Sequence, residues 1–334
     1  MALAPEALAA FEDQLESWVT RCRKDSPNGT MVRAHFGFGE PDRKRGKRLR
    51  PQILLLVAEQ EGARPGDADG AAIGIELLHN YSLIHDDIED GDELRHGRPT
   101  LWVRFGIPSA IVAGNAMCAM SYLALVTGQP DDVPPERQVA MERCLQAANL
   151  KMCEGQSLDI GFETAHMVTF ADYLAMIDGK TAALFSAACE LGARAASRSD
   201  ERALAYAAFG RAYGKAFQIR DDILGTWGTT EQTGKPSGAD IRRRKWSFPV
   251  VWALSGPPSP DRVLIERAYK RVGALDDGSA VAVIAALDRL GAQAAADAAC
   301  DAAVNDAALL AAEHDLDNDG RLRSLFTNTS RRNV

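Results

Sequence analysis

The chain has 334 residues, 46% of them hydrophobic and 25% charged, a composition that supports a sizeable buried core. Its formal net charge of −8 argues against nucleic-acid binding, which demands a clustered positive footprint. Six scattered cysteines (Cys22, Cys118, Cys144, Cys153, Cys189, Cys300) show no CxxC and no short spacing; most lie among apolar helical neighbours and read as buried thiols, and a reducing cytoplasm is the expected compartment.

From the start, Met1 to Trp18 predicts an acidic amphipathic helix. No charged-then-apolar leader opens the chain, and no apolar run is expected to approach the length that crosses a bilayer. A basic stretch comes next, Arg45-Gly46-Lys47-Arg48-Leu49-Arg50-Pro51, then a break at Glu61–Asp69. The apolar helical run Leu77 to Ile84 ends on Asp86-Asp87-Ile88-Glu89-Asp90, and Arg95-His96-Gly97-Arg98 comes after it. Residues 110–127 and 181–193 are apolar nearly all round, which predicts helices enclosed by other helices. A Pro-rich break at Gly128–Glu136 closes the first of them. Alanine-rich stretches at 181–196, 202–218 and 280–313 have strong helix propensity, with breaks at Ser197–Asp200 and Ser255–Asp261. Within them the run Ala212 to Ile219 ends on Asp221-Asp222-Ile223-Leu224-Gly225, with Lys235 and Lys245 beyond. Asp315-Leu316-Asp317-Asn318-Asp319-Gly320 imitates the opening of a calcium loop, but its twelfth position is Phe326 instead of a bidentate Glu, so it reads as a polar turn. Alternating β-branched runs are scarce and no break separates halves of different composition. The expectation is a single all-α domain of ten or more helices over residues 1–327, with a flexible tail at 328–334.

The two acidic runs carry the chemistry. Anions concentrated beside an apolar wall are costly unless a cation compensates them. Asp86 and Asp90 lie one turn apart on one helical face. Hard carboxylate oxygens without a Cys or His cluster suit Mg²⁺, which keeps waters and shares substrate phosphates. A lone acidic run reads as a solvated helix end more readily than as a metal site. Two such runs, each with basic residues nearby, point instead to acid for metal and base for phosphate, an arrangement suited to ionising a diphosphate ester.

With these stretches the chain resembles the trans-isoprenyl diphosphate synthases, or polyprenyl synthetases. The resemblance rests on Gly46 to Pro51, His79-Asn80-Tyr81-Ser82-Leu83-Ile84-His85 leading into Asp86–Asp90, Gly179-Lys180-Thr181, Phe217-Gln218-Ile219-Arg220-Asp221-Asp222 and Gly234-Lys235-Pro236, in the family's order across residues 40 to 255. It implies an all-α bundle around a central cavity, a homodimer in contact through the helix near 110–127, and head-to-tail condensation of isopentenyl diphosphate with an allylic diphosphate (dimethylallyl, geranyl or farnesyl). By the same resemblance Asp86, Asp90 and Asp221 are the primary ligands of about two or three Mg²⁺ ions, with Asp87 and Asp222 supporting them from behind. Lys180, Lys235, Arg95 and Lys245 would neutralise the allylic diphosphate, and Thr181 and Gln218 would orient it. The charge of isopentenyl diphosphate would be met by the protein cations Lys47, Arg50, His79 and the residue after Arg95. That last position departs from the family, which usually has a second arginine where this chain has His96; the expectation is weaker binding of isopentenyl diphosphate or a load shared with Arg98. Gly225 is a second departure, standing where a third aspartate would complete the second run. Gln156 and Asp159 match a further family stretch, in which Asp159 is either the holder of a metal-bound water or a buried structural carboxylate.

Leu78 and Ser82 precede Asp86 by two turns and one turn on one stripe, which places them along the tunnel for the prenyl tail. Tyr81 lies roughly 7–8 Å down the axis from Asp86, where a large ring would cap the growing chain. An aromatic there with an uninterrupted acidic run resembles archaeal-type geranylgeranyl diphosphate synthases and favours a C20 product over C15 farnesyl diphosphate. A class I terpene cyclase would have no use for Lys47, Arg50 and His79. A non-catalytic partner subunit would lose one or both acidic runs, and this chain has both.

Overall fold

The computed structural model describes residues 3–23, 25–40, 46–233, 236–271 and 273–330. Its regular structure is almost wholly helical, as expected from the alanine-rich composition: α1 (Pro5–Arg23), α2 (Pro27–Phe36), α3 (Leu49–Gln60), α4 (Asp69–Glu89), α5 (Leu101–Phe105), α6 (Ile107–Thr127), α7 (Pro135–Phe162), α8 (Phe170–Ile177), α9 (Ala183–Ala195), α10 (Asp200–Trp227), α11 (Thr230–Thr233), α12 (Ala239–Arg242), α13 (Phe248–Ser255), α14 (Pro260–Tyr269), α15 (Asp277–Leu290), α16 (Ala292–Glu313) and α17 (Arg321–Ser330). A π-helical turn, Asp178–Ala182, joins α8 to α9, and one antiparallel hairpin, β1 (Leu94–Arg95) with β2 (Arg98–Pro99), comes after α4. The breaks read from proline and glycine fall between helices. Lys235, Gly234 and residues 331–334 of the expected tail lie outside the described residues.

The chain divides into two compact units, one of Met1–Asn149, Ala187–Ala207 and Asp317–Leu322, the other of Leu150–Ser186, Ala208–Leu316 and Arg323–Val334. In the first unit α4 is the buried element, with Ile75, Leu77 and Leu78 fully enclosed. It packs lengthwise on α6, and glycine makes the approach possible. A Cβ at Gly70 would come 2.8 Å from the Ala124 carbonyl oxygen, and one at Gly74 would come 2.8 Å from that of Ser121. The Asp315–Gly320 run is the polar turn read from sequence: Asp317 accepts from the Leu322 N–H at 3.1 Å.

α6 departs from its sequence reading in two ways. It is covered on one side only: Ala110, Ala113, Gly114, Met117, Ser121 and Ala124 are buried, while Ile107, Ile111, Val112, Leu123 and Val126 stay exposed. A helix apolar all round announces no direction, so composition could not tell which face a neighbour would cover. Its 21 uncharged residues also span about 31 Å at 1.5 Å per residue, which matches a bilayer core where no such run was expected. Its small-residue face lies on α4, the packing of a bundle helix.

The second unit has its own core, built from Tyr173 of α8, Ile219 and Ile223 of α10, Phe248, Val250 and Val251 of α13, and Val283 and Leu287 of α15. The alanine-rich run 280–313 is two helices, because Gly291 takes φ 78° and the chain bends by 65° there. α8 begins with a reciprocal cap in which Thr169 and Asp172 satisfy each other's backbone N–H groups.

If the α4–α6 approach depends on glycine, Gly74→Val must push the helices apart. We expect a loss of about 1–3 kcal/mol, read as a lower thermal midpoint. An unchanged midpoint would mean that the two helices are packed more loosely than described.

Candidate active site

The first acidic run occupies the end of α4. Its members do not share one environment, since successive helical residues point about 100° apart. Asp87 is turned inward and only 2% exposed. Its carboxyl is pushed up by burial, and this is opposed by Arg95, whose Nη2 is 2.7 Å away and 3.8 Å from Asp86. Asp86 and Asp90 are partly exposed. Arg95, read from sequence as a cation for the allylic diphosphate, is therefore first the counter-ion of Asp87.

The hairpin brings Arg95 back to α4. Thr100 is tied to Asp92 and Glu93 through its hydroxyl and N–H, each at 2.9 Å. His96 (φ 53°) and Gly97 (φ 79°) form the two-residue turn, both in the left-handed region that hairpin turns of this type demand. The expectation that Arg98 shares the load of His96 is narrowed here, since Arg98 lines the same cleft as His96 but its guanidinium is engaged by protein. Arg98 donates to the carbonyl oxygens of His35 (2.9 Å) and Ala34 (3.5 Å) and pairs with Glu40 at 3.2 Å, so it caps the end of α2. His79 is also corrected as a cation: burial and the nearby Arg50, Arg95 and Arg48 hold its imidazole well below the usual range, leaving it uncharged near neutrality. His35 behaves likewise, pushed down to about 3 mainly by burial, and lies 3.0 Å from the Asn80 amide oxygen.

In the basic stretch, Arg48 is a structural residue that sequence reading assigned no role. It takes φ 49°, starts α3, and pairs in a buried setting with Glu12 at 2.6 Å and Glu76 at 2.8 Å. Its guanidinium also sits 5.3 Å from the centre of the Phe36 ring. This anchor fixes its neighbours: Lys47 is exposed, with its carbonyl oxygen held by the Gln52 amide at 2.6 Å, and Arg50 is buried in the first turn of α3. A cleft is lined by His35, Arg48, Asn80, Asp87, Arg95 and His96.

The second acidic run lies near the end of α10 and divides the same way. Asp222 is buried and its carboxyl is pushed up to about 6, because burial outweighs donation from Phe248 N–H (2.8 Å), Gln218 (2.9 Å) and the Tyr173 hydroxyl (2.7 Å). Asp221 is exposed and lines a cavity of about 360 Å³ with Asp159, Lys180, Gln218, Asp240 and Lys245. Lys180 enters from the π-helical turn. A Cβ on Gly155 of α7 would overlap the Lys180 backbone nitrogen, so glycine there lets the turn sit directly on α7 and brings Lys180 within 2.5 Å of Asp159. Thr181 donates to the Gln218 amide oxygen at 2.6 Å, which aims the amide nitrogen at Asp222.

Of the residues assigned to product length, Leu78 is fully buried, and Ser82 is half-buried and donates to the His79 carbonyl oxygen at 2.7 Å. Tyr81 is buried, with its ring edge-on to His85 at 5.6 Å.

These donors fit Mg²⁺. They are carboxylate oxygens, with Asp86 and Asp90 one turn apart at the end of α4 and Asp221 and Asp240 lining one cavity, and among the described residues no three Asp, Glu, His or Cys side chains converge into a finished cage. A hard ion that retains waters and takes phosphate oxygens needs no more from protein. Asp240 was missed in the sequence, because it lies on the short helix α12 outside both acidic runs.

Asp240 explains Gly225. A Cβ at position 225 would overlap the Asp240 carboxylate, so the space a third aspartate would use is already taken by one from α12. Gly225→Asp should therefore reduce both thermal stability and turnover, and Gly225→Asp combined with Asp240→Ala should recover part of each. A single variant as stable and active as the parent would show that Asp240 does not hold this position.

The profile of the polyprenyl synthetase family matches residues 42–284. A short chain isoprenyl diphosphate synthase of Methanothermobacter thermautotrophicus is 41% identical over 248 residues, 74% of either chain. A (2E,6E)-farnesyl diphosphate synthase of Mycobacterium bovis is 38% identical over 247 residues, 72% of this chain and 67% of that one. The crystal structure of a geranylgeranyl pyrophosphate synthetase from Pyrococcus horikoshii superposes with a TM-score of 0.84 at 28% identity, covering 98% of this chain and 99% of the other. Two split aspartate pairs, each with basic residues beside it, and a match over most of the length lead to one conclusion: the chain belongs to the polyprenyl synthetase family.

Proposed function

We propose that this protein is a trans-prenyltransferase that condenses isopentenyl diphosphate with allylic diphosphates and releases geranylgeranyl diphosphate, both units acting as one catalytic domain. The observation that carries the reading is the paired aspartate at each helix end, one member buried on protein donors and one turned outward. In this reading Asp86, Asp90 and Asp221 hold Mg²⁺, with Asp240 beside Asp221 and with Asp87 and Asp222 fixing the helix ends. Bound there, the metal would neutralise charge building on the departing diphosphate. Lys180, Lys245 and Lys235 would add positive charge to the same group, and Thr181 and Gln218 would orient it, so that the allylic carbon–oxygen bond breaks into pyrophosphate and an allylic cation. Lys47 and Arg50 would bind isopentenyl diphosphate by charge, His79 and His96 by hydrogen bonding. Its double bond then attacks the cation, a carbon–carbon bond forms, and a proton leaves.

The C20 product is supported by Tyr81 and the uninterrupted acidic run. A farnesyl diphosphate synthase among the relatives favours C15 as the second reading. We infer a cytoplasmic homodimer, supported by the scattered thiols and by the exposed face of α6, where Ile107, Ile111 and Val112 would find apolar cover in a second copy. The direct test is purified protein with Mg²⁺, labelled isopentenyl diphosphate and each allylic primer in turn, with products sized. Elongation to C20 is expected; a hydrocarbon without incorporation would indicate a cyclase, and no turnover a non-catalytic subunit.

Asp86→Ala and Asp221→Ala should each lower turnover at least about 100-fold while the circular dichroism of the fold is retained. Near-parental rates in either folded variant would remove the two-pair reading. Tyr81→Ala should open space below the tail. With about 0.8 kcal/mol gained per buried methylene, the product should lengthen from C20 towards C25, and Ser82→Phe should shorten it towards C15. Product lengths unchanged in both would assign the tunnel floor to other residues.

A further inference from the structure

Tyr81 does not stand alone. Its hydroxyl donates to the Asn149 amide oxygen, although Asn149 lies 68 residues further on, in α7. The amide nitrogen of Asn149 donates in turn to the Tyr122 hydroxyl on α6 at 2.7 Å and lies 3.6 Å from Cys118 Sγ. At its other face the Tyr81 ring meets His85 edge-on, with the planes at 86°, and His85 Nε2 is 3.3 Å from the Ile111 carbonyl oxygen. The ring is thus held at its tip from α7 and at its side by its own helix, and α6 backs both partners.

We propose that Asn149 is a positioning residue for product length: by holding the Tyr81 hydroxyl it keeps the ring from swinging out of the path of the growing tail. A tyrosine ring is attached to the backbone at one end, and rotation about its first side-chain bond would sweep it aside. An apolar prenyl tail offers the hydroxyl no acceptor, so a displaced ring would leave a buried O–H unsatisfied. The pin therefore turns a movable ring into a fixed stop. Asn149 suits the task because one amide supplies both an acceptor for Tyr81 and a donor for Tyr122, and the second bond sets the orientation of the first.

The inference rests on reading Tyr81 as the tunnel floor, and its test separates the two. Products of Tyr81→Phe, Asn149→Leu, Asn149→Asp, the Tyr81→Phe/Asn149→Leu double variant and Tyr81→Ala are sized under one set of conditions, with thermal midpoints measured alongside. Tyr81→Phe keeps the ring and loses only the hydroxyl. It and Asn149→Leu should each raise the ratio of products one isoprene unit longer by about five- to tenfold. The double variant should add nothing further, because either change removes the same bond. Asn149→Asp, which still accepts from Tyr81, should keep parental lengths whatever its stability. If Tyr81→Ala lengthens products while Tyr81→Phe and Asn149→Leu leave them unchanged, the pin is refuted and the floor survives. Fully additive lengthening in the double variant also refutes the pin, and parental lengths in Tyr81→Ala remove floor and pin together. Should Asn149→Leu fail to fold, Tyr81→Phe alone decides.

Discussion

The structure turns on the burial of one carboxylate from each adjacent aspartate pair. Neighbouring helical positions point about 100° apart, so where one member of a pair is turned into the protein the other is turned away from it. Removing a carboxylate from water is costly unless donors meet it. At Asp87 the donor is Arg95, and at Asp222 it is a backbone N–H, an amide and a phenol. These partners come from the hairpin, from α8 and from the start of α13, so each buried aspartate ties its helix to a neighbouring segment. The outward member inherits that rigidity. Asp86 and Asp221 are aimed by the buried aspartates next to them in the chain, before any ligand arrives.

The same demand for partners changes what the basic residues are for. Arg48, Arg95 and Arg98 all stand in stretches that suggest anion binding, yet each is committed to the protein: to Glu12 and Glu76, to Asp87, and to the end of α2. Their contribution is to fix geometry around Lys47, Arg50 and His96. A count of positive charges along the sequence overstates the cation available to a diphosphate, because arginine's planar fork is as useful for closing a buried network as for gripping phosphate. The uncharged state of His79 stems from this crowd of guanidinium groups as well as from burial.

Much of the fold was legible. Alanine content, the period of Leu77 to Ile84 and the proline and glycine breaks gave the helices, since these signals act within a few residues of where they are written. The acidic runs were legible for the same reason. What escaped depended on partners far along the chain. Gly225 looked like a missing ligand because Asp240 comes from another helix, and α6 looked enclosed because uniform apolarity gives no direction. Asn149 sits in a polar-apolar mixture on α7 with no motif around it, and its meaning appears only once Tyr81 and Tyr122 are seen beside it.

Close backbone approach is the other feature that sequence expresses only as isolated glycines. Gly70 and Gly74 let α4 lie on α6, and Gly155 lets the π-helical turn lie on α7. The second contact bears on chemistry. A π-helical turn inserts an extra residue and changes the rotation of the helix at that point, so Lys180 and Thr181 leave it in directions that a continuous α-helix would not give. With the turn seated on Gly155, Lys180 meets Asp159 and Thr181 meets Gln218, which leads on to Asp222. A larger residue at 155 would move this whole set together, lysine, hydroxyl and amide alike. The Lys180 side of the second pocket is therefore set by a contact between backbones, and Lys180, Thr181 and their partners take their places from that contact.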